Sequence, residues 1–199
     1  QFGFKIPNNQ AIGDQLPPQP GEKVLGITVK GAPGTDTNWT AFTLVLYVKD
    51  SGPVKKFEVL TQKRAISPVG TIETAGGHLV GGQTWRGGAL DELKQEAGID
   101  ADQKNLIFLE GGVPKKARSG NLYGNANFFA VFNNKPATKN ISSEVDKTYG
   151  HQWIDLKTLY LDVKTEQDTI GNFKHGEYYS FFRGQLLKFC SVVIDCSRF

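Results

Sequence analysis

Two acids, Glu92 and Glu96, stand four residues apart in the run Trp85-Arg-Gly-Gly-Ala-Leu-Asp-Glu-Leu-Lys-Gln-Glu-Ala97. On a helix, neighbours at i+3 and i+4 lie side by side, so Glu92, Gln95 and Glu96 share one face. Just upstream lie the pairs Gly76-Gly77 and Gly81-Gly82, and glycine lets a backbone approach a phosphate closely. Carboxylates on a helix behind a glycine-rich loop form the layout of a site for a divalent cation and a diphosphate. Phosphate oxygens carry dense negative charge, so their hydrolysis needs a cation to neutralise them and to position or activate a water. Hard carboxylate oxygens suit Mg2+ or Mn2+. Gln95 offers only a neutral carbonyl, so the local charge supports one cation better than two.

The elements that must position these groups can be read around them. A helix starting near Thr84 carries the acids, and Gly98 can take the left-handed position that ends it. Upstream, Asp50-Ser-Gly-Pro53 is a turn signal between two runs rich in β-branched and aromatic residues, so Ala41 to Arg64 reads as a hairpin. Lys23 to Lys30 and Trp39 to Lys49 are β-rich, and strands near Leu106 to Glu110 and Ala126 to Asn133 complete a mixed sheet. His175 to Lys188 reads as a terminal helix whose aromatic residues dock on the core, with a strand after it. Residues 1 to 21, rich in Gln, Asn, Pro and Gly, read as an extended arm that packs on the surface or keeps some freedom. Residues 22 to 199 then form one domain, a size that supports one well-buried core.

The segment Gly77 to Ile99 resembles the Nudix box, whose pattern runs Gly, five residues, Glu, seven residues, then Arg-Glu-apolar-any-Glu-Glu-any-Gly-apolar. Counting from Gly77, Gln83 falls where the family has Glu, Asp91 at the Arg, Glu92 at the Glu and Leu93 at the apolar position. The match ends on Gln95, Glu96, Gly98 and Ile99. Of the charged positions only Glu92 and Glu96 remain. Phe57 to Arg64 is similar to the family's strand entering the site, and Thr71 to Gly77 to its Trp-Glu-Leu-Pro-Gly-Gly lead-in. Ser143-Glu-Val to Leu159 resembles its closing acid, strand and short helix.

The resemblance implies an α+β fold, a Nudix-like α/β/α sandwich with a mixed β-sheet, and a hydrolase of a nucleoside-diphosphate-linked or other diphosphate compound. It places Glu92, Glu96 and Glu144 in catalysis, and Glu92, Glu96 and Gln95 around Mg2+ or Mn2+. Gly76, Gly77, Arg64, Lys115, Lys116 and Arg118 are the candidates for gripping substrate, an anionic diphosphate-containing small molecule or capped RNA. Asp91 inverts a charge that in the family orients the box carboxylates. Beside Glu92 an unpaired acid should raise one of their pKa values unless Lys94, Arg86 or another cation compensates. The losses imply a weakened hydrolase; the alternative is an inactive Nudix-fold protein that uses its cleft, or its aromatic C-terminal face, to bind a ligand or a protein partner.

Composition narrows the field. The formal net charge of +3 is a mild bias toward anionic ligands and lacks the basic stripe of a dedicated nucleic-acid binder. No stretch approaches the roughly 18 apolar residues that span a bilayer, so no membrane partner is expected. Ser/His/Asp catalysis has no supporting motif, and His78, His151 and His175 form no pair at metal-ligand spacing. The sequence starts at Gln1 without a Met, which is compatible with export after loss of a signal peptide. The sequons Asn38-Trp-Thr40 and Asn140-Ile-Ser142 would fit that route. Cys190 and Cys196 are either a disulfide closing a small loop or two buried thiols.

Overall fold

The computed structural model describes residues 2–32, 34, 36–49, 52–139 and 147–199. Glu144, Asn140 and the hairpin turn residues Asp50 and Ser51 lie outside these.

A small hairpin, β1 (Lys23–Val24) and β2 (Ile27–Thr28), precedes the main sheet. Its turn residues Leu25 and Gly26 both take positive φ, the conformation that matches the twist of a two-residue hairpin. The long strand β3 (Asp36–Lys49) is the centre of an eight-stranded sheet. It turns back into β4 (Lys56–Arg64) as the expected antiparallel hairpin, with Leu46 opposite Val59. β5 (Ile72–Glu73) pairs with β4, and β6 (Ala75–Val80) with the first half of β3. On the other side β3 runs parallel to β9 (Leu122–Phe132), which is flanked by β7 (Ile107–Gly111) and by β8 (Lys115–Lys116). β10 (Thr148–Asp155) closes the far edge on β4. One parallel pairing among antiparallel ones makes the sheet mixed, as expected.

Each face of the sheet is covered. On one, helix α1 (Trp85–Ala97) buries Trp85, Ala89, Leu93 and Ala97 against Val45, Leu79 and Phe128. Those positions repeat at i+4, the spacing that turns one stripe of a helix to a core. Gly88 is where α1 crosses β6: a Cβ there would collide with Leu79, so this helical glycine serves close packing. On the other face α2 (Leu156–Ile170) and α3 (Ser180–Val192) pack Leu159, Val163, Phe182, Leu186 and Phe189 on Leu44, Leu46, Phe57 and Phe129. This is an α/β/α sandwich.

The C-terminus departs from the expected helix and strand. The helix begins at Ser180 instead of His175 and runs on to Val192, followed by a 3-10 turn at Cys196–Arg198. The apolar run Phe189-Cys-Ser-Val-Val-Ile is short enough to suit either element, and here helical spacing seats Phe189 and Val193 in the same core. Cys190 and Cys196 are paired, tying the end of α3 to that turn. α2 is 15 residues long, more than the short helix expected there.

Residues 2 to 20 strap the sandwich. Phe2 and Phe4 lie against Phe57, and Phe4 also against Phe129 and Phe189. Farther along, the Gln10 side chain imitates a neighbouring strand on β7: its Nε2 donates to the Phe108 carbonyl at 2.7 Å and its Oε1 accepts from Phe108 N–H at 2.8 Å. Trp85 N–H, at the start of α1, donates to the Gln15 carbonyl at 3.1 Å.

Candidate active site

The helix that carries the acids is defined at both ends by local chemistry. Thr84 caps it, its hydroxyl accepting from Gly87 N–H at 2.9 Å, and Gly98 ends it in the left-handed conformation at φ 69°. Glu92 and Glu96 therefore lie one turn apart, opposite the glycine pair of β6. Gly76 N–H donates to Glu96 Oε2 at 2.9 Å. Gly77 faces Glu92, and a Cβ on it would stand 2.5 Å from Glu92 Oε2. The pair is thus required by what it faces: Gly76 by the Phe42 ring and the Ala41 carbonyl, Gly77 by a carboxylate.

A third acid joins them from the sheet. Glu73 on β5 lies opposite Gln62 on β4. Gln62 Nε2 donates both to Glu73 Oε1 at 3.3 Å and to Glu96 Oε2 at 2.9 Å. Two residues on, Arg64 pairs with Glu73 Oε2 at 2.7 Å. Sequence reasoning gave Glu73 no role, although it is the acid of the lead-in segment, and it missed Gln62 because a neutral residue carries no charge signal.

Two of these three carboxyls, Glu96 and Glu73, hold their protons more tightly than free side chains do. Burial pushes Glu96 up to about 8; the Gly76 N–H opposes this, Glu73 and Glu92 add repulsion, and the Gln62 amide pulls back. Burial also raises Glu73, more than Arg64 and Gln62 lower it. Asp91 is not the source of the shift, contrary to the expectation from sequence. Gln83 donates to Asp91 while its Oε1 accepts from Val80 N–H at 2.8 Å, so two of the three residues that break the box pattern hold each other. Neither proposed cation compensates. Arg86 is buried and turned toward the N-terminal strap, where it pairs with Asp14 and donates to the Leu106 carbonyl at 3.2 Å. Lys94 reaches Asp100 at 3.6 Å.

The acids line a cleft of about 1320 Å³. Gly76, Gly77, Arg64, Gln95 and Lys115 line it too. Lys116 and Arg118 do not, since residues alternate along β8 and only Lys115 and Ala117 face the cleft. Arg64 is heavily engaged: besides Glu73 it donates to the Ser67 carbonyl at 2.6 Å and lies over the Tyr179 ring at 4.6 Å. His78 is an exposed cleft residue on β6, whereas His175 stacks on Tyr179 at 4.6 Å. His151 on β10 is kept below its ordinary pKa by burial.

No family model and no curated protein sequence matches the chain. Solved structures do. The Caenorhabditis elegans Ap4A hydrolase, in a binary complex, aligns with TM-score 0.50 and 18% identity over 77% of this chain and 95% of that one. The Escherichia coli dihydroneopterin triphosphate pyrophosphohydrolase aligns with TM-score 0.52 and 13% identity over 81% of this chain and 99% of that one. The chain has the Nudix fold. A MutT/nudix family protein from Enterococcus faecalis aligns at TM-score 0.50 and 17% identity over 66% of this chain, which spans 47% of that protein's length. At these identities the likeness carries the Nudix fold alone, and the chemistry must be argued from the side chains.

The donor set bears on a metal. Among the described residues no group of three or more His, Cys, Asp or Glu forms a cage for an ion. Mg2+, however, is commonly held by one or two carboxylates together with substrate phosphates, without an all-protein cage. Glu92 and Glu96 fit that mode.

Proposed function

We propose that the protein is a hydrolase of a diphosphate compound that works with one Mg2+ or Mn2+ held jointly by Glu92, Glu96 and the substrate's own phosphates. The observation that carries this reading is the pair of acids one turn apart on a capped helix, held against Gly76 and Gly77 and lining a cleft of about 1320 Å³ with space for a diphosphate. When bound, the cation would neutralise phosphate oxygens and lower the pKa of a water. The protein's own part is to orient Glu96 through Gly76 and Gln62, and to hold its proton until a cation replaces it. Lys115 supplies positive charge in the same cleft. Glu144, outside the described residues, remains the candidate for an assisting carboxylate.

The substrate panel is ADP-ribose, dinucleoside polyphosphates and capped RNA, each with Mn2+. Turnover by wild type that is lost in Glu96→Gln and Glu92→Gln supports the hydrolase. A wild-type chain inert toward the whole panel overturns it.

A second reading has its own support. With Glu96 near 8 and Arg64 occupied by Glu73, the cleft at neutral pH holds less free charge than a working two-metal site needs. A ligand-binding protein without turnover would bind independently of metal, and that binding would survive Glu92→Ala and Glu96→Ala. For either reading we infer an exported destination, which the Cys190–Cys196 pairing and the exposed Asn38 sequon support.

A further inference from the structure

Exposed apolar side chains gather around the opening of the cleft. Among the described residues thirteen large ones stand out in water, and six of them, Ile66, Val80, Val113, Tyr123, Phe173 and Phe181, line the cleft that holds Glu92 and Glu96. Scattered singly, such residues are ordinary, whereas gathered on one rim they mark a contact surface. They come from separate segments. Ile66, with exposed Val69 near it, lies in Ala65-Ile-Ser-Pro-Val-Gly70, a loop without a charged residue. Val113 and Tyr123 flank the β8 hairpin, and Phe173, 91% exposed, stands on the connection between α2 and α3.

Each tip is held by hydrogen bonds to its own backbone. Gly70 N–H closes the first loop on the Arg64 carbonyl at 2.8 Å, and the Arg64 side chain reaches the Ser67 carbonyl at 2.6 Å. The hairpin closes through Ala117 N–H on the Asn121 carbonyl at 2.9 Å. Arg183 donates to the carbonyls of Gly171 at 3.0 Å and Lys174 at 2.5 Å, on either side of Phe173. Fixed backbone thus presents the apolar side chains outward, and a contact that buries them costs little ordering. Cations accompany them. Val113 to Tyr123 carries Lys115, Lys116 and Arg118 and no acid; Lys115 lines the cleft, while Lys116 and Arg118 are exposed beside it. Lys63 runs along the uncharged loop, its Cε 3.8 Å from where a Cβ on Gly70 would stand. Lys174 follows Phe173, against one acid in that connection, Glu177. Inside the cleft Asp91 is held by Gln83, Glu73 by Arg64, and Glu110 by Lys188 at 3.8 Å.

We propose that this rim is a docking surface for a bilayer containing anionic phospholipid. Ile66, Val69 and Phe173 enter the interface, Lys63, Lys116, Arg118 and Lys174 lie on the headgroups, and the cleft opens toward them. Separate tips around an opening offer no continuous face to a folded partner, whereas a fluid interface fits each tip in turn. Aromatic rings with basic residues beside them suit the headgroup level of an anionic leaflet. No helix among the described residues is long and apolar enough to cross a membrane, and a surface contact needs none. The proposal concerns the rim and not the acids, so it stands independently of the diphosphate reading.

The test sediments the full chain, in EDTA, with vesicles of phosphatidylcholine alone and of phosphatidylcholine mixed with phosphatidylserine. The chain should bind the mixed vesicles saturably, more weakly as salt rises, and leave the neutral ones in solution. Phe173→Ser, at an exposed position, should weaken binding on the order of tenfold. Lys116→Gln and Arg118→Gln should each weaken it about fivefold. Leu161→Ser, which removes an exposed apolar residue of α2 outside the cleft, should change nothing. The emission of Phe173→Trp should move to the blue on mixed vesicles, and that of Leu161→Trp should not. Absence of binding to mixed vesicles at low salt overturns the surface. So does binding that Phe173→Ser leaves unchanged, since that is charge attraction alone. Binding of polyglutamate with the same loss in Phe173→Ser would give the rim to an acidic protein and overturn the bilayer. Hydrolysis of diphosphates, or its absence, bears on none of these outcomes.

Discussion

Glu96 gives the sharpest physical test, because one substitution separates its charge from its shape. In the folded chain its carboxyl sits at about 8, against 4.5 for a free side chain. The folded state therefore grips the proton more tightly than the unfolded state. The stability this represents is complete below about 4.5 and is lost as pH rises through about 8, where the folded carboxyl ionises. Each pH unit in that window costs up to about 1.4 kcal/mol, about 5 kcal/mol in all, and the partial exposure of the residue trims the whole to roughly 2–4 kcal/mol. Glu96→Gln keeps the size and cannot ionise, so it should match wild type near pH 5 and exceed it by a few kcal/mol at pH 9. Urea unfolding of both proteins in EDTA, at intervals from pH 5 to 9, measures the divergence. A cation bound at Glu92 and Glu96 must displace that proton, so Mg2+ or Mn2+ affinity should rise about tenfold per pH unit below 8. Parallel stability profiles for the two proteins would refute the buried, neutral Glu96.

Gly77→Ala should leave the melting temperature within a few degrees of wild type yet lower cation affinity at least about tenfold, since the new Cβ forces the Glu92 carboxylate to swing away; calorimetric titration checks it. Arg183→Leu should cost about 3–5 kcal/mol in chemical denaturation, because it strips a partner from half-buried Glu166 and frees three backbone carbonyls. Gln10→Ala should cost about 1–2 kcal/mol by releasing both strand-like hydrogen bonds to Phe108, and hydrogen exchange should show the loss concentrated on β7.

The parts of this fold that sequence reveals are those in which one residue's neighbours lie close along the chain. The i, i+4 acids, the Thr84 cap, the left-handed Gly98 and the β3–β4 hairpin are all of this kind, and each stands where its spacing put it. The residues whose role is set across the sheet stay silent. Glu73 occupies a two-residue strand and acquires its place only when β5 pairs with β4. Arg86 looks available to Asp91 along the sequence, but the strap from residues 10 to 15 captures it. Arg183, the most deeply buried charge among the described residues, reads as one more polar position on an amphipathic helix until the α2–α3 connection folds over it. The same holds for the aromatic residues of the C-terminal segment, which read as core: Tyr178, Phe182 and Phe189 are indeed buried, while Phe181 is not.

The substitution at Asp91 then has a structural counterpart. A site with clustered carboxyls needs a group that fixes their direction, and the box resemblance puts an arginine of the helix in that role. Here the helix supplies an acid instead, tied off by Gln83 at the rim. The fixing groups come from the sheet: Gln62 and Arg64, two apart on β4 and hence on the same face, grip Glu96 and Glu73 respectively. Moving this function from helix to strand changes its electrostatics. An arginine on Glu92 or Glu96 would hold them ionised, whereas the neutral Gln62 orients Glu96 without paying back its burial, and the one arginine is paired with Glu73, a residue farther from the helix. That is why Glu96 keeps its proton near neutrality while Arg64 lies within the same network. A site built this way exchanges proton for cation instead of holding a permanent charge, and its working range in pH is set by a glutamine.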